Sequence, residues 1–187
     1  PSAIAVRRPI ASADQVLQNV GVLYDKGKAV LGMFELYLGP EVFRRGVNDY
    51  LREHAWGNAT SRDLWSALGL AAGRNLGDLN IGAAMSAFVD QPGLPLVRVE
   101  LLPDGRVALS QERFTNAGVH TAAPLTWKIP VGLKYDDGKS VRTTTVLLDS
   151  ERQAVTLPGA PAAVSWVLPD LGGVGYYRWR VPEEMLA

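Results

Sequence analysis

The sequence predicts an α+β protein, with a helical bundle in its first half and an immunoglobulin-like antiparallel β-sandwich in its second. Three observations predict it. Before about residue 90 the apolar residues recur at helical spacing. After it they alternate between turn signals rich in Asp, Gly and Pro. Between the two patterns lies Gln91-Pro92-Gly93-Leu94-Pro95, which suits neither a helix nor a strand interior. The division expected is residues 1–92 for the helical part and 93–187 for the sandwich.

Arg8-Pro9-Ile10 reads as extended, because a residue before proline avoids the helical region. Ser12 or Asp14 can cap the helix that follows. Val20, Tyr24, Gly27, Leu31, Phe34 and Leu38 are spaced 4, 3, 4, 3 and 4 apart, one face of a helix. Gly39-Pro40 ends it, and Pro40 can open the next helix, which carries Val42, Phe43, Val47, Tyr50 and Leu51. Thr60 with Asp63 resembles a capping box, with Leu64, Trp65 and Leu68 as the buried face behind it. Asp78 can cap a helix carrying Ile81, Met85, Phe88 and Val89. Four or five helices are expected.

About seven short strands follow. Leu96 to Leu101 pairs through Pro103-Asp104-Gly105 with a return at Val107 and Leu109. Trp127, Ile129, Val131 and Leu133 alternate and turn at Asp136-Asp137-Gly138 into Val141 to Leu148. Ala154 to Leu157, Val164 to Leu168 and Tyr176 to Val181 complete the set, the strand count of an immunoglobulin-like sandwich.

The 187 residues suffice for one large or two small domains. Lys plus Arg balances Asp plus Glu at 19 each, with no basic run to neutralise phosphates, so nucleic-acid binding is not expected. No apolar run is long enough to span a bilayer. Cysteine is absent, which excludes disulfides and thiolate metal sites. With only His54 and His120, a histidine-rich zinc site cannot be built from this chain alone. His54 reads as a helix C-terminal residue, where a cation is favoured, with a ligand role as the alternative, and His120 as a solvent-exposed loop residue. Trp56 and Trp65 read as core aromatics, with the lining of a pocket as the alternative. Gly172-Gly173-Val174-Gly175 reads as a turn between strands, and Glu183-Glu184 as a solvated tail. Residues 96–187 hold no G-x-S-x-G and no phosphate-binding glycine loop before a helix.

Tyr24 admits two readings. Periodicity makes it a core tyrosine. Its phenol also keeps its proton at neutral pH and can donate to an oxyanion. Gly27, one turn on, removes a side chain beside it at a helix cost of about 1 kcal/mol, compatible with close packing or with room for a ligand.

Three runs resemble one family. They are Tyr24-Asp25-Lys26-Gly27-Lys28-Ala29-Val30-Leu31, Leu38-Gly39 through Phe43, Gly46, Tyr50 and Leu51, and Trp56-Gly57-Asn58-Ala59-Thr60 with Asp63-Leu64-Trp65. Together they resemble the segment that follows the zinc site in the aminopeptidase N family of zinc metallopeptidases. RRPI near the start, QPGLPLVRV, LSQERF and GYYRW fit as well, so the similarity covers nearly the whole chain. Lys28 and Gly32 depart from the family pattern without removing a catalytic group. The resemblance implies the end of a thermolysin-like catalytic domain followed by the family's β-sandwich. It implies zinc in the parent enzyme, peptide substrates, and two partners within the same chain: an upstream zinc-binding subdomain and a downstream helical domain. It makes Tyr24 the catalytic donor to the tetrahedral intermediate. The family's H-E-x-x-H and G-x-M-E-N are not in these residues. Alone, the chain is therefore expected to be inactive and to bind no zinc. It assigns no metal ligand and no substrate-binding residue, and leaves the compartment open. The competing readings are a non-catalytic peptidase-like scaffold and an unrelated interaction module.

Overall fold

The computed structural model describes residues 5–7, 9, 20–73, 80–118, 124–159 and 164–185. Ser12, Asp14, Asp78 and His120 lie outside them, so the expectations placed on those residues concern positions not described. The described residues form four α-helices, α1 (Val20–Leu38), α2 (Pro40–Glu53), α3 (Ser61–Ala72) and α4 (Ile81–Asp90). Seven strands follow: β1 (Pro95–Leu101), β2 (Val107–Arg113), β3 (Ile129–Asp136), β4 (Val141–Leu148), β5 (Arg152–Val155), β6 (Val167–Pro169) and β7 (Arg178–Arg180). The class is α+β, as the change of period near residue 90 requires. No described helix is long and apolar enough to cross a membrane.

The buried face of α1 is Lys26, Val30, Met33, Phe34 and Leu38. This corrects the expected face, which shares only Phe34 and Leu38 with it. The helix carries apolar residues around most of its circumference, so spacing alone does not fix its rotation. The helix turns Tyr24 outward and Lys26 inward. Gly39 and Pro40 separate α1 from α2, with Pro40 in the first turn, where its missing N–H costs nothing. Helices α2 and α3 cross at Gly46, where an added Cβ would lie 2.9 Å from Leu68 Cδ2. The Asp63 carboxylate accepts hydrogen bonds from Thr60 N (2.7 Å) and Thr60 Oγ1 (2.8 Å), so the predicted start of α3 holds. Asn80 caps α4, its Oδ1 accepting from Ala83 N at 2.9 Å.

The strands form two sheets, ordered β5-β2-β1-β7 and β4-β3-β6. Six strands pair as expected, antiparallel, with hairpins at Leu101↔Val107 and Asp136↔Val141. The exception is β7, which runs parallel to β1. Alternation reports which face a strand buries and not the direction of its neighbour. Inward residues of both sheets, Val97, Val99 and Leu109 on one and Ile129, Val131 and Leu133 on the other, join Phe34, Met85 and Phe88 of the helices in a single core. Trp65 and Trp127 are buried in that core. Trp56 is not: it is fully exposed, at φ 63°, in the turn after α2. Its neighbours Gly57 and Asn58 are exposed too.

Candidate functional site

Tyr24 is 75% exposed, which excludes the core-packing reading of its ring. It lines an open groove of about 780 Å³. The floor is one face of α1, with Gly27, Lys28, Leu31 and Glu35 following Tyr24 at intervals of three and four residues. Phe43 of α2 and the loop Gly173-Val174-Gly175 complete the lining. A Cβ at Gly27 would meet nothing within 4 Å, so this glycine serves no close helix contact and leaves the groove open beside the Tyr24 ring.

The loop wall is built locally. Leu171–Gly173 form a tight turn after β6. Gly172 (φ 76°) and Gly173 (φ 67°) take left-handed conformations that glycine adopts without steric cost. The Asp170 carbonyl accepts from Gly173 N (3.1 Å), and Asp170 Oδ1 accepts from Gly175 N (2.8 Å). A Cβ at Gly175 would lie 2.5 Å from Tyr177 Cε1, so no side chain fits there. This stretch is a turn, as read from the sequence, and also a wall of the groove. The signal was present as three glycines in four residues after an aspartate, more than a hairpin needs.

Behind Tyr24, on the opposite side of α1, the Lys26 side chain is buried with 2% of its surface exposed. Its Nζ donates to the Gln91 carbonyl at 3.0 Å and lies 5.3 Å from the centre of the Tyr176 ring. Burial lowers its pKa to about 8. Sequence reasoning treated Lys26 only as a letter in a motif. A lysine among apolar residues on a helix face was the available clue.

His54 does not join the groove. It is the C-cap of α2 and packs on Tyr50, with ring centres 5.4 Å apart. Among the described residues, no group of three or more His, Asp or Glu is placed to hold a metal ion.

Comparison with known proteins adds to this geometry. Residues 8–88 match the Peptidase family M1 domain, a span that includes α1, α2, α3 and most of α4. The chain belongs to the M1 peptidase family. Among similar M1 relatives, a puromycin-sensitive aminopeptidase of Caenorhabditis elegans is 31% identical over 88% of this chain and 17% of its own length. A leucyl aminopeptidase of Saccharolobus solfataricus is 34% identical over 84% of this chain and 18% of its own length. An aminopeptidase N of Lactobacillus helveticus is 34% identical over 75% of this chain and 16% of its own length. The chain thus spans less than a fifth of these curated relatives. Both Tyr24 and Lys26 fall inside the matched M1 segment.

Proposed function

We propose that this chain is part of a zinc-dependent aminopeptidase that hydrolyses N-terminal residues from peptides, and that Tyr24 is its oxyanion donor. The observation that carries the reading is the exposed Tyr24 phenol lining a groove that Gly27 leaves open. A phenol held on a helix can aim its O–H at a developing negative charge without rearranging. It offers a peptide carbonyl little in the ground state and more as the carbonyl carbon becomes tetrahedral, so its effect falls on turnover. Residues 1–92 are read as the end of a thermolysin-like catalytic domain and 93–187 as an immunoglobulin-like sandwich that carries the Gly173–Gly175 wall. The helix-to-strand change between Asp90 and Pro95 supports that division. Zinc belongs to the working enzyme in this reading, held by residues other than those described. The chain alone is expected to be inactive.

The test is Tyr24→Phe in the full reading frame. One oxyanion donor is worth about 2.7–4 kcal/mol, so kcat should fall by about 10²–10³-fold. The thermal midpoint should not move, because the ring is exposed. Wild-type turnover in Tyr24→Phe would remove the catalytic assignment and return the chain to the scaffold reading.

A further inference from the structure

The geometry points to Lys26 as a positioning residue that fixes the distance between the Tyr24 face of α1 and the Gly173–Gly175 wall of the groove. The inference rests on the reading of Tyr24 as the oxyanion donor.

Lys26 follows Tyr24 by two residues, about 200° around the helix, so the two side chains leave α1 on opposite sides. Lysine is almost never fully buried unless paired. Here its partners among the described residues are neutral: the Gln91 carbonyl at 3.0 Å and the face of the Tyr176 ring. A buried cation satisfied in this way stabilises less than an apolar side chain of the same volume would. The depressed pKa, about 8, reports that cost. Stability alone therefore does not account for a lysine here.

What Lys26 does is join three segments. Gln91 is the C-cap of α4 and begins the connection into β1. Tyr176 follows Gly175 directly and also packs edge-on against Phe88 of α4, with ring centres 6.3 Å apart. Asp170 holds Gly173 and Gly175 in one hydrogen-bonded turn. A shift of Tyr176 therefore carries the groove wall with it. The ammonium spans from the Tyr24 helix to the base of that wall and ties both to the end of α4. Without it, α1 can rotate or slide against the loop, and the Tyr24 hydroxyl loses its place relative to a peptide in the groove.

A double-mutant cycle in the full reading frame tests this, with Lys26→Met, Lys26→Arg, Tyr24→Phe and the double variant Lys26→Met/Tyr24→Phe. A misplacement of about 1 Å can cost about 10²-fold in rate. Lys26→Met should lower kcat by at least about tenfold while KM changes little, the mark of an interaction felt in the transition state. Lys26→Arg, which can still reach the carbonyl and stack on the ring, should recover most of the loss. In the Tyr24→Phe background, Lys26→Met should cost nothing further, because both act through one hydroxyl. Additive losses with an impaired Tyr24→Phe would overturn the role of Lys26 alone. Full turnover in Tyr24→Phe would overturn both readings. Should Lys26→Met fail to fold, Tyr176→Leu removes the ring contact and must give the same non-additive loss. Independently of activity, Lys26→Met should shift the amide resonances of Gly173 and Gly175 while sparing Gly105 and Gly138. Unmoved Gly173 and Gly175 amides would overturn the proposal.

Discussion

Gln111 and Trp127 exchange a pair of hydrogen bonds that joins the two sheets. Trp127 N donates to Gln111 Oε1 at 2.8 Å, and Gln111 Nε2 donates back to the Trp127 carbonyl at 2.8 Å. The same Nε2 donates to the Ser150 carbonyl at 3.0 Å. The side-chain amide thus substitutes for a strand partner just before β3. Both residues are buried, so water cannot take its place freely. Gln111→Leu has nearly the same volume and leaves one backbone donor and two acceptors without these bonds. Each buried unsatisfied group costs about 1–3 kcal/mol, so urea denaturation should show a loss of about 3 kcal/mol. An unchanged urea midpoint would mean that the sheets are held together elsewhere.

The β3–β4 hairpin predicts an acid limb of stability. The Asp137 carboxylate accepts from Arg142 Nε and from the backbone N–H groups of Lys139 (2.9 Å) and Ser140 (2.7 Å). The Arg142 bond first, then the two N–H groups, lower its pKa from 3.8 to about 2. A depressed carboxyl stabilises the fold above its unfolded pKa, and that contribution is lost as pH falls toward the folded value. Thermal midpoints should therefore drop between about pH 4 and pH 2. Asp137→Asn should be less stable at pH 7 and show a shallower drop in that window. Parallel profiles for the two proteins would assign the acid limb to other carboxylates.

Legibility from sequence followed how local the physics was. Thr60 and Asp63 are three residues apart, and the capping box they form needs nothing else. The seven strands were readable because alternation and turn residues are local as well. The rotation of α1 was not, since apolar residues surround the helix and the outcome depends on what packs against it. That error concealed the exposure of Tyr24 and the burial of Lys26 together. The parallel pairing of β7 with β1 and the meeting of Gly173–Gly175 with α1 join positions roughly 80 and 150 residues apart, contacts that only the tertiary fold creates. Trp56 was misread because composition favours buried tryptophan, while its exposure follows from the turn it occupies.

Gly46 sets the approach of α2 to α3. Alanine is normally better than glycine in a helix by about 1 kcal/mol. Here its Cβ would lie 2.9 Å from Leu68 Cδ2, 3.0 Å from Leu68 Cα and 3.2 Å from the Ala67 carbonyl. Two of those atoms are backbone and cannot swing away, and Leu68 is fully buried. Overpacking of this kind costs about 1–3 kcal/mol, so Gly46→Ala should destabilise despite its better helix propensity. A raised thermal midpoint in Gly46→Ala would show that the two helices separate at little cost.

Gly27 predicts the opposite sign. It lies inside α1, where alanine should be better by about 1 kcal/mol, and a Cβ there would meet nothing within 4 Å. Gly27→Ala should therefore raise the thermal midpoint. The same open space is the part of the groove beside Tyr24. Gly27→Leu should keep the gain in stability and fill that space, so that in the full reading frame peptide turnover falls while the fold is strengthened. A protein more stable and less active identifies a glycine retained for room, a cost in stability accepted at a site of function. Gly27→Leu with full activity would place the peptide elsewhere. A lower midpoint in Gly27→Ala would mean that α1 needs glycine for a contact along its own length.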